Sequence, residues 1–143
     1  MSLDFGVHIP FVEQLGFTLE RFEGGESTLR FAPRAAHCNS FGVTHGGAVM
    51  AFLDVIMATA GRSVQPDSGI VTIEMKTSFM RPAPASAALL GQGRLLHRTR
   101  QLAFVEGSVF DAQGALCAHA TGTFKYVPAA APGGRAGAPL ATD

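Results

Sequence analysis

Apolar and polar positions divide this chain into short alternating stretches around one long, almost unbroken apolar block. That block is GGAVMAFLDVIMATAGR, residues 46–62, and between Ala48 and Ala60 only Asp54 and Thr59 interrupt it. Its length and composition predict a helix that is apolar on all faces, which must be wrapped on nearly every side. Before it, IPFVEQL (9–15) predicts a short helix with Pro10 in the first turn, ended by Gly16. Two strand-like runs follow, 17–22 and 27–32, with Gly24-Gly25 in the hairpin position, and then a loop over 33–44. After a turn at Gln65–Gly69, four strands are predicted over 70–80, 87–97, 102–111 and 116–127. In the first of them Val71, Ile73, Met75 and Phe79 alternate with Thr72, Glu74, Lys76 and Ser78, the period of a half-buried strand. Asp111–Gly114 reads as a tight hairpin turn, and Gly91 and Gly93 read as a strand irregularity. The pattern predicts an α+β fold, a long antiparallel sheet curling around one central helix. Residues 128–143, PAAAPGGRAGAPLATD, have little to bury and predict a disordered tail behind a single domain over 1–127.

Composition narrows the function classes. At 143 residues the chain has room for one core, and 47% hydrophobic against 15% charged residues rules out a disordered polyelectrolyte. Eleven basic and eleven acidic residues cancel, which argues against a nucleic-acid binder. The apolar block is short for a membrane span and carries a carboxylate at its middle. The first residues, with an early Asp4 and no basic stretch, predict no secretory leader. Two cysteines, Cys38 and Cys117, fit a reduced cytoplasm.

Asp54 is the residue most in need of explanation. A carboxylate amid apolar neighbours is costly unless it is partnered or its pKa rises. It is either a structural hydrogen-bonder or a general base or nucleophile in a dry site. His45-Gly46-Gly47 opens the same helix, whose first amides lack intrahelical acceptors, so the Gly46 amide could polarise a carbonyl. Gly46 and Asp54 lie eight positions apart, roughly 12 Å along a helix axis. One reacting carbonyl can hardly touch both groups of one chain, so a shared substrate implies two subunits. His37, Cys38 and His45 do not match zinc-site spacings, and His45 reads as a residue fixing the loop. There is no GxSxG, GxxxxGK[ST] or GxGxxG. Residues 75–105 hold Lys76, Arg81, Arg94, Arg98 and Arg100 and no acid, which is either a solvated edge or a landing site for phosphates.

The run Asn39-x-Phe-Gly-x-x-His45-Gly46-Gly47 followed seven residues later by Asp54, with the RPA turn at 81–83 and the LAFVEG strand at 102–107, resembles the hotdog-fold acyl-CoA thioesterases of the PaaI (phenylacetate-degradation) type. The resemblance covers residues 10–127. It implies hydrolysis of an aromatic or medium-chain acyl-CoA, with the Gly46 amide on the thioester carbonyl. Asp54 of the facing subunit would act as nucleophile or base, Asn39 would position the water or the carbonyl, and Thr72 would supply a small hydroxyl near the acid. It further implies that His45 and Gly47 shape the helix start, and that Arg81, Arg98 and Arg100 meet CoA phosphates. No metal or cofactor is implied, CoA being part of the substrate. The implied assembly is a cytoplasmic homodimer with interfacial sites, in a dimer of dimers, where Phe41, Met50, Phe79 and Phe104 pack across an interface to set pocket depth. Two rivals stand beside this reading. One is a non-catalytic hotdog that binds an acyl or aromatic ligand, with Asp54 as scaffold. The other is an enoyl-CoA hydratase, whose pattern places its acid in a loop before the helix rather than inside it.

Overall fold

Phe52, Leu53, Ile56 and Met57 are fully buried on one side of helix α2, Gly46–Arg62, and the sheet forms around that side. In the computed structural model, which describes residues 2–129, α1 (Pro10–Leu15) precedes the hairpin β1 (Thr18–Glu23) and β2 (Glu26–Phe31). A 3-10 turn, Ala35–His37, leads into α2, and then come β3 (Ser68–Phe79), β4 (Leu89–Arg98), β5 (Leu102–Phe110) and β6 (Leu116–Pro128). The strands form one six-stranded sheet in the order β1-β2-β4-β5-β6-β3, with every neighbouring pair antiparallel. β6 takes in Pro128, and from residue 130 on the predicted tail lies outside the described residues.

The predicted turns are built as their residues require. Gly24 and Gly25 both have positive φ, 62° and 83°, as a tight hairpin with the sheet's twist demands. Asp111 Oδ1 accepts the amides of Gln113 and Ala115, closing the β5–β6 turn. Polar contacts tie helix to sheet: Ser27 Oγ donates to the Ile56 carbonyl and Tyr126 Oη to the Gly61 carbonyl, both at 2.7 Å. Phe17, Phe31 and Phe52 fill one end of the core with ring centroids 4.9–5.5 Å apart.

Three expectations change. Gly91 and Gly93 are not an irregularity, since β4 keeps register with both neighbours there and its shift falls later, between Leu95 and His97. Their function is clearance: a Cβ at Gly91 would sit 2.3 Å from Ile56 Cδ1, and one at Gly93 would sit 2.7 Å from the Ile56 carbonyl oxygen. The alternation predicted for β3 also breaks. Thr72 pairs with Phe124 and Glu74 with Thr123, leaving Ile73 as an unpaired bulge residue. The bulge resets parity, so Thr72 lies on the helix side of the sheet, as do Met75, Thr77 and Phe79 beyond it. Finally, its own chain does not wrap α2 on every side. Met50 is 39% exposed and Ala51, Asp54, Val55 and Ala58 are half-buried, a stripe at helical spacing beside β3.

The two sheet edges differ. β1 is six residues long, kinked by a shift between Leu19 and Arg21, bridged by Leu3 and bordered by the Arg30–Glu20 ion pair. β3 is twelve residues long, its outer edge unpaired among the described residues, and Ile73, Phe79 and the following Met80 are each more than half exposed. An exposed edge of this length leaves its backbone groups open to pairing.

Gly93→Ala should destabilise the protein by about 1–3 kcal/mol, the usual range for overpacking. The check is a lower thermal midpoint, and an unchanged midpoint would mean that α2 and β4 do not meet at this position.

Candidate active site

The helix start is shaped by its own cap. His45 is the N-cap of α2, with φ −60° and ψ 139°, and its Nδ1 accepts the Gly47 amide at 2.8 Å. The Ala48 amide bonds back to the His45 carbonyl at 2.9 Å. In the first turn, Gly46 is left with an amide that has no acceptor among the described residues. The His45 amide is itself anchored on the His37 carbonyl at 2.7 Å, and the Thr44 amide on that of Ala83 at 3.0 Å. Gly47 is thus committed to shaping the helix start, and the free N–H dipole belongs to Gly46. Phe79 lies over it: a Cβ at Gly46 would be 3.5 Å from Phe79 Cζ.

Asn39 governs the loop that faces this amide. Its Oδ1 accepts the Phe41 and Val43 amides at 2.9 and 3.3 Å, a side-chain turn that leaves Nδ2 without a partner among the described residues. Asn39, Gly46, Phe79 and Arg81 line one groove of about 660 Å³, floored by the small residues Ala83, Cys117 and Ala118. Sequence reasoning missed that floor, because only the β3–β6 pairing brings Ala118 opposite Phe79.

Asp54 lies elsewhere, two helical turns along α2 and outside the groove. Thr72 Oγ1 donates to Asp54 Oδ1 at 2.5 Å, and Oδ2 has no partner among the described residues. Burial pushes the Asp54 carboxyl above the ordinary aspartate range, and the Thr72 hydrogen bond only partly opposes that. A carboxylate raised in this way, with one oxygen held and the other free, can accept a proton from water or attack a carbonyl carbon. The structure thus brings Asn39, His45 and Gly46 together, brings Thr72 to Asp54, and holds the two sets apart within one chain.

The remaining predicted residues fall in several places. Arg81 sits beside the groove, its amide directed to the Cys117 carbonyl at 3.2 Å. Arg98 lies over the Tyr126 ring at 5.5 Å, and Arg100 is exposed in the β4–β5 turn. Cys117 and Tyr126 are nine positions apart on β6, about 30 Å of strand, so one chain cannot gather these arginines on one phosphate. Arg94 is held by Glu106 at 2.6 Å on the outer face of the sheet. Phe104 also faces outward, stacked on His97 at 6.2 Å, and takes no part in the groove. His37 and Cys38 are engaged in the loop: His37 Nδ1 accepts the Arg34 amide at 3.0 Å, and Cys38 Sγ donates to the Arg34 carbonyl at 3.6 Å. Burial first, then nearby Arg34, lowers the His37 pKa. Among the described residues no three His, Cys, Asp or Glu side chains converge on a metal-sized site, and no helix is long and apolar enough to cross a membrane.

Comparison with known proteins supports the same assignment. Residues 41–118, more than half the chain and including all of α2, match the model of the thioesterase superfamily. A conserved Pseudomonas aeruginosa protein of known structure is 29% identical, with TM-score 0.80 over 85% of this chain and 97% of its own. A mutant of the phenylacetic acid degradation protein PaaI from Thermus thermophilus is 28% identical, with TM-score 0.74 over 82% of this chain and 98% of its own. A Saccharolobus solfataricus protein named as an esterase is 29% identical over 110 residues, 77% of this chain and 73% of that one. The helix-wrapping sheet, the free amide at the start of its helix and these matches lead to one conclusion: the chain belongs to the thioesterase superfamily, with the PaaI-type hotdog fold, and is a hydrolase.

Proposed function

We propose that this protein is an acyl-CoA thioesterase, acting on aromatic or medium-chain acyl-CoA without metal or redox cofactor, as a homodimer joined along β3. The observation that carries the proposal is the division of the site. A free amide and a pKa-raised carboxylate stand on one rigid helix, roughly 12 Å apart, beside a long unpaired strand edge and an uncovered helical stripe. Antiparallel pairing of β3 with its copy about a two-fold axis between Met75 and Lys76 sets Thr72 of one subunit against Phe79 of the other. Because Thr72 holds Asp54 and Phe79 covers Gly46, each axis-related pair joins one subunit's carboxylate to the other's amide. The same operation carries Arg81 toward Arg98 and Arg100 of the facing subunit, a composite cationic site for CoA phosphates. A dimer of dimers would bury further surface.

In the reaction, the Gly46 amide donates to the thioester oxygen and stabilises the negative charge it gains. Asn39 Nδ2, at the same groove, positions that oxygen or the attacking water. Asp54 of the facing subunit either takes a proton from water as its oxygen bonds to the carbonyl carbon, or attacks that carbon to give a mixed anhydride that water then cleaves. The C–S bond breaks, and CoA leaves as the thiolate and takes up a proton. Thr72 fixes Asp54 Oδ1 and leaves Oδ2 for the chemistry.

Thiol release over a panel of aromatic and straight-chain acyl-CoAs tests this reading. Asp54→Asn should lose about 10²–10⁴-fold in kcat, the usual contribution of a general base, with CoA binding retained. Gly46→Pro should lose about 10²–10³-fold, the scale of one oxyanion donor. Proline is tolerated at the first helical position, and His45 already has the extended conformation that proline requires before it. Full activity in either variant contradicts the mechanism.

A pH-dependent stability measurement separates catalysis from the scaffold alternative. The folded Asp54 pKa lies above its unfolded value, so protonation favours the folded state and ionisation at neutral pH weakens it. Asp54→Asn should therefore raise the thermal midpoint at pH 7, and the gain should shrink as pH falls through the raised pKa. A scaffold role predicts the opposite, a lower midpoint in the variant.

A further inference from the structure

The groove contains a polar group that the proposed chemistry does not use. Thr44 is 4% exposed and lines the groove together with Gly46, and its hydroxyl oxygen is buried without a hydrogen-bond partner. Buried hydroxyls in folded proteins are almost always satisfied, and the groove is lined mostly by apolar residues, Asn39 and Arg81 being its other polar side chains. The Thr44 backbone is pinned on both sides, by its bridge to Cys38 and by the bond from its amide to the Ala83 carbonyl. The side chain is therefore the only part free to respond to a ligand. Rotation about χ1 exchanges hydroxyl and methyl among staggered positions without moving that backbone.

We propose that Thr44 is a specificity-determining residue that hydrogen-bonds a polar substituent on the acyl group, so that the groove favours hydroxyacyl over plain hydrocarbon acyl thioesters. This rests on the thioesterase reading for the position of the carbonyl. Residues 44 and 46 have Cα atoms at most about 7 Å apart, so a substituent on Thr44 sits only about two to four bonds from a carbonyl on the Gly46 amide. That reach selects a 2-hydroxy- or 3-hydroxyacyl group over one hydroxylated far along its chain. A site with a buried polar group waiting for its partner discriminates strongly against the analogue that leaves it unpaired.

The test uses two substrate pairs, phenylacetyl-CoA with its 2-hydroxy derivative and hexanoyl-CoA with its 3-hydroxy derivative, on wild type, Thr44→Val and Thr44→Ser. Wild type should prefer the hydroxylated member of at least one pair by about tenfold or more in kcat/KM. Thr44→Ser should keep that preference. Thr44→Val, which exchanges the hydroxyl for a methyl of similar size, should bring the ratio near one. A wild type without preference, or a Thr44→Val that changes both members by the same factor, overturns the proposal and leaves Thr44 a structural or carbonyl-binding residue. If wild type hydrolyses none of the four, the thioesterase reading fails, and the same uncleaved acyl-CoAs serve as ligands in calorimetry. Tighter binding of a hydroxylated member that is lost in Thr44→Val upholds the proposal there, and equal or absent binding overturns it.

Discussion

A helix rises about 1.5 Å per residue and does not shorten, so α2 holds the Gly46 amide and the Asp54 carboxylate at a fixed separation that no side-chain rotation closes. The rest of the structure follows from that spacing. The glycines at 91 and 93 bring β4 against Ile56 and lock the helix axis to the sheet. The His45 ring takes one helix-start amide and leaves its neighbour free. The Ile73 bulge turns Thr72 toward the carboxylate. In the proposed dimer these features serve the two halves of a site, and Asp54 lies on the half-exposed stripe of α2, the open side of the protomer.

That open side explains an imbalance in how the chain treats its surface. β1 is short, kinked and bordered by charge, in the manner of an edge guarded against pairing. β3 is long, and it is flanked by the half-exposed stripe of α2 and by Phe79 and Met80. Exposed apolar groups grouped this way are expected where a second copy completes the core. In the proposed dimer the helix that looks apolar on all faces in sequence finally receives the full covering that its own sheet does not provide. Asp54 is then drier than in the single protomer, which strengthens the upward displacement of its pKa that burial already produces.

Much of this is legible in the sequence, for identifiable reasons. The helix limits, 46–62, match the prediction because the apolar block begins at a glycine pair behind a capping residue and ends at a basic last turn. Strand positions follow from period-two patterning and glycine turns, and the same pattern puts Gly46 and Asp54 on the helix and Asn39 in the loop before it. What sequence cannot give is parity and depth. A single bulge residue reverses which side of β3 faces the helix, and nothing in Thr72-Ile73-Glu74 marks it. The Gly91 and Gly93 clearance depends on Ile56, and the groove floor depends on pairing between β3 and β6, both contacts between residues distant in sequence. Phe104, expected with Phe41, Met50 and Phe79 to set pocket depth across an interface, is turned by its place in β5 to the outer face of the sheet, away from the groove.

The central claim is that a working site takes its amide from one subunit and its carboxylate from the other. Subunit complementation tests it most directly: Asp54→Asn and Gly46→Pro proteins, each inactive alone, are mixed under conditions that exchange subunits, and thiol release is followed. Random exchange makes half the dimers mixed, each with one intact site of two, so activity should rise to about a quarter of wild type. A mixture that stays no more active than its components, with subunit exchange verified, would place both groups in one chain's site and contradict the account.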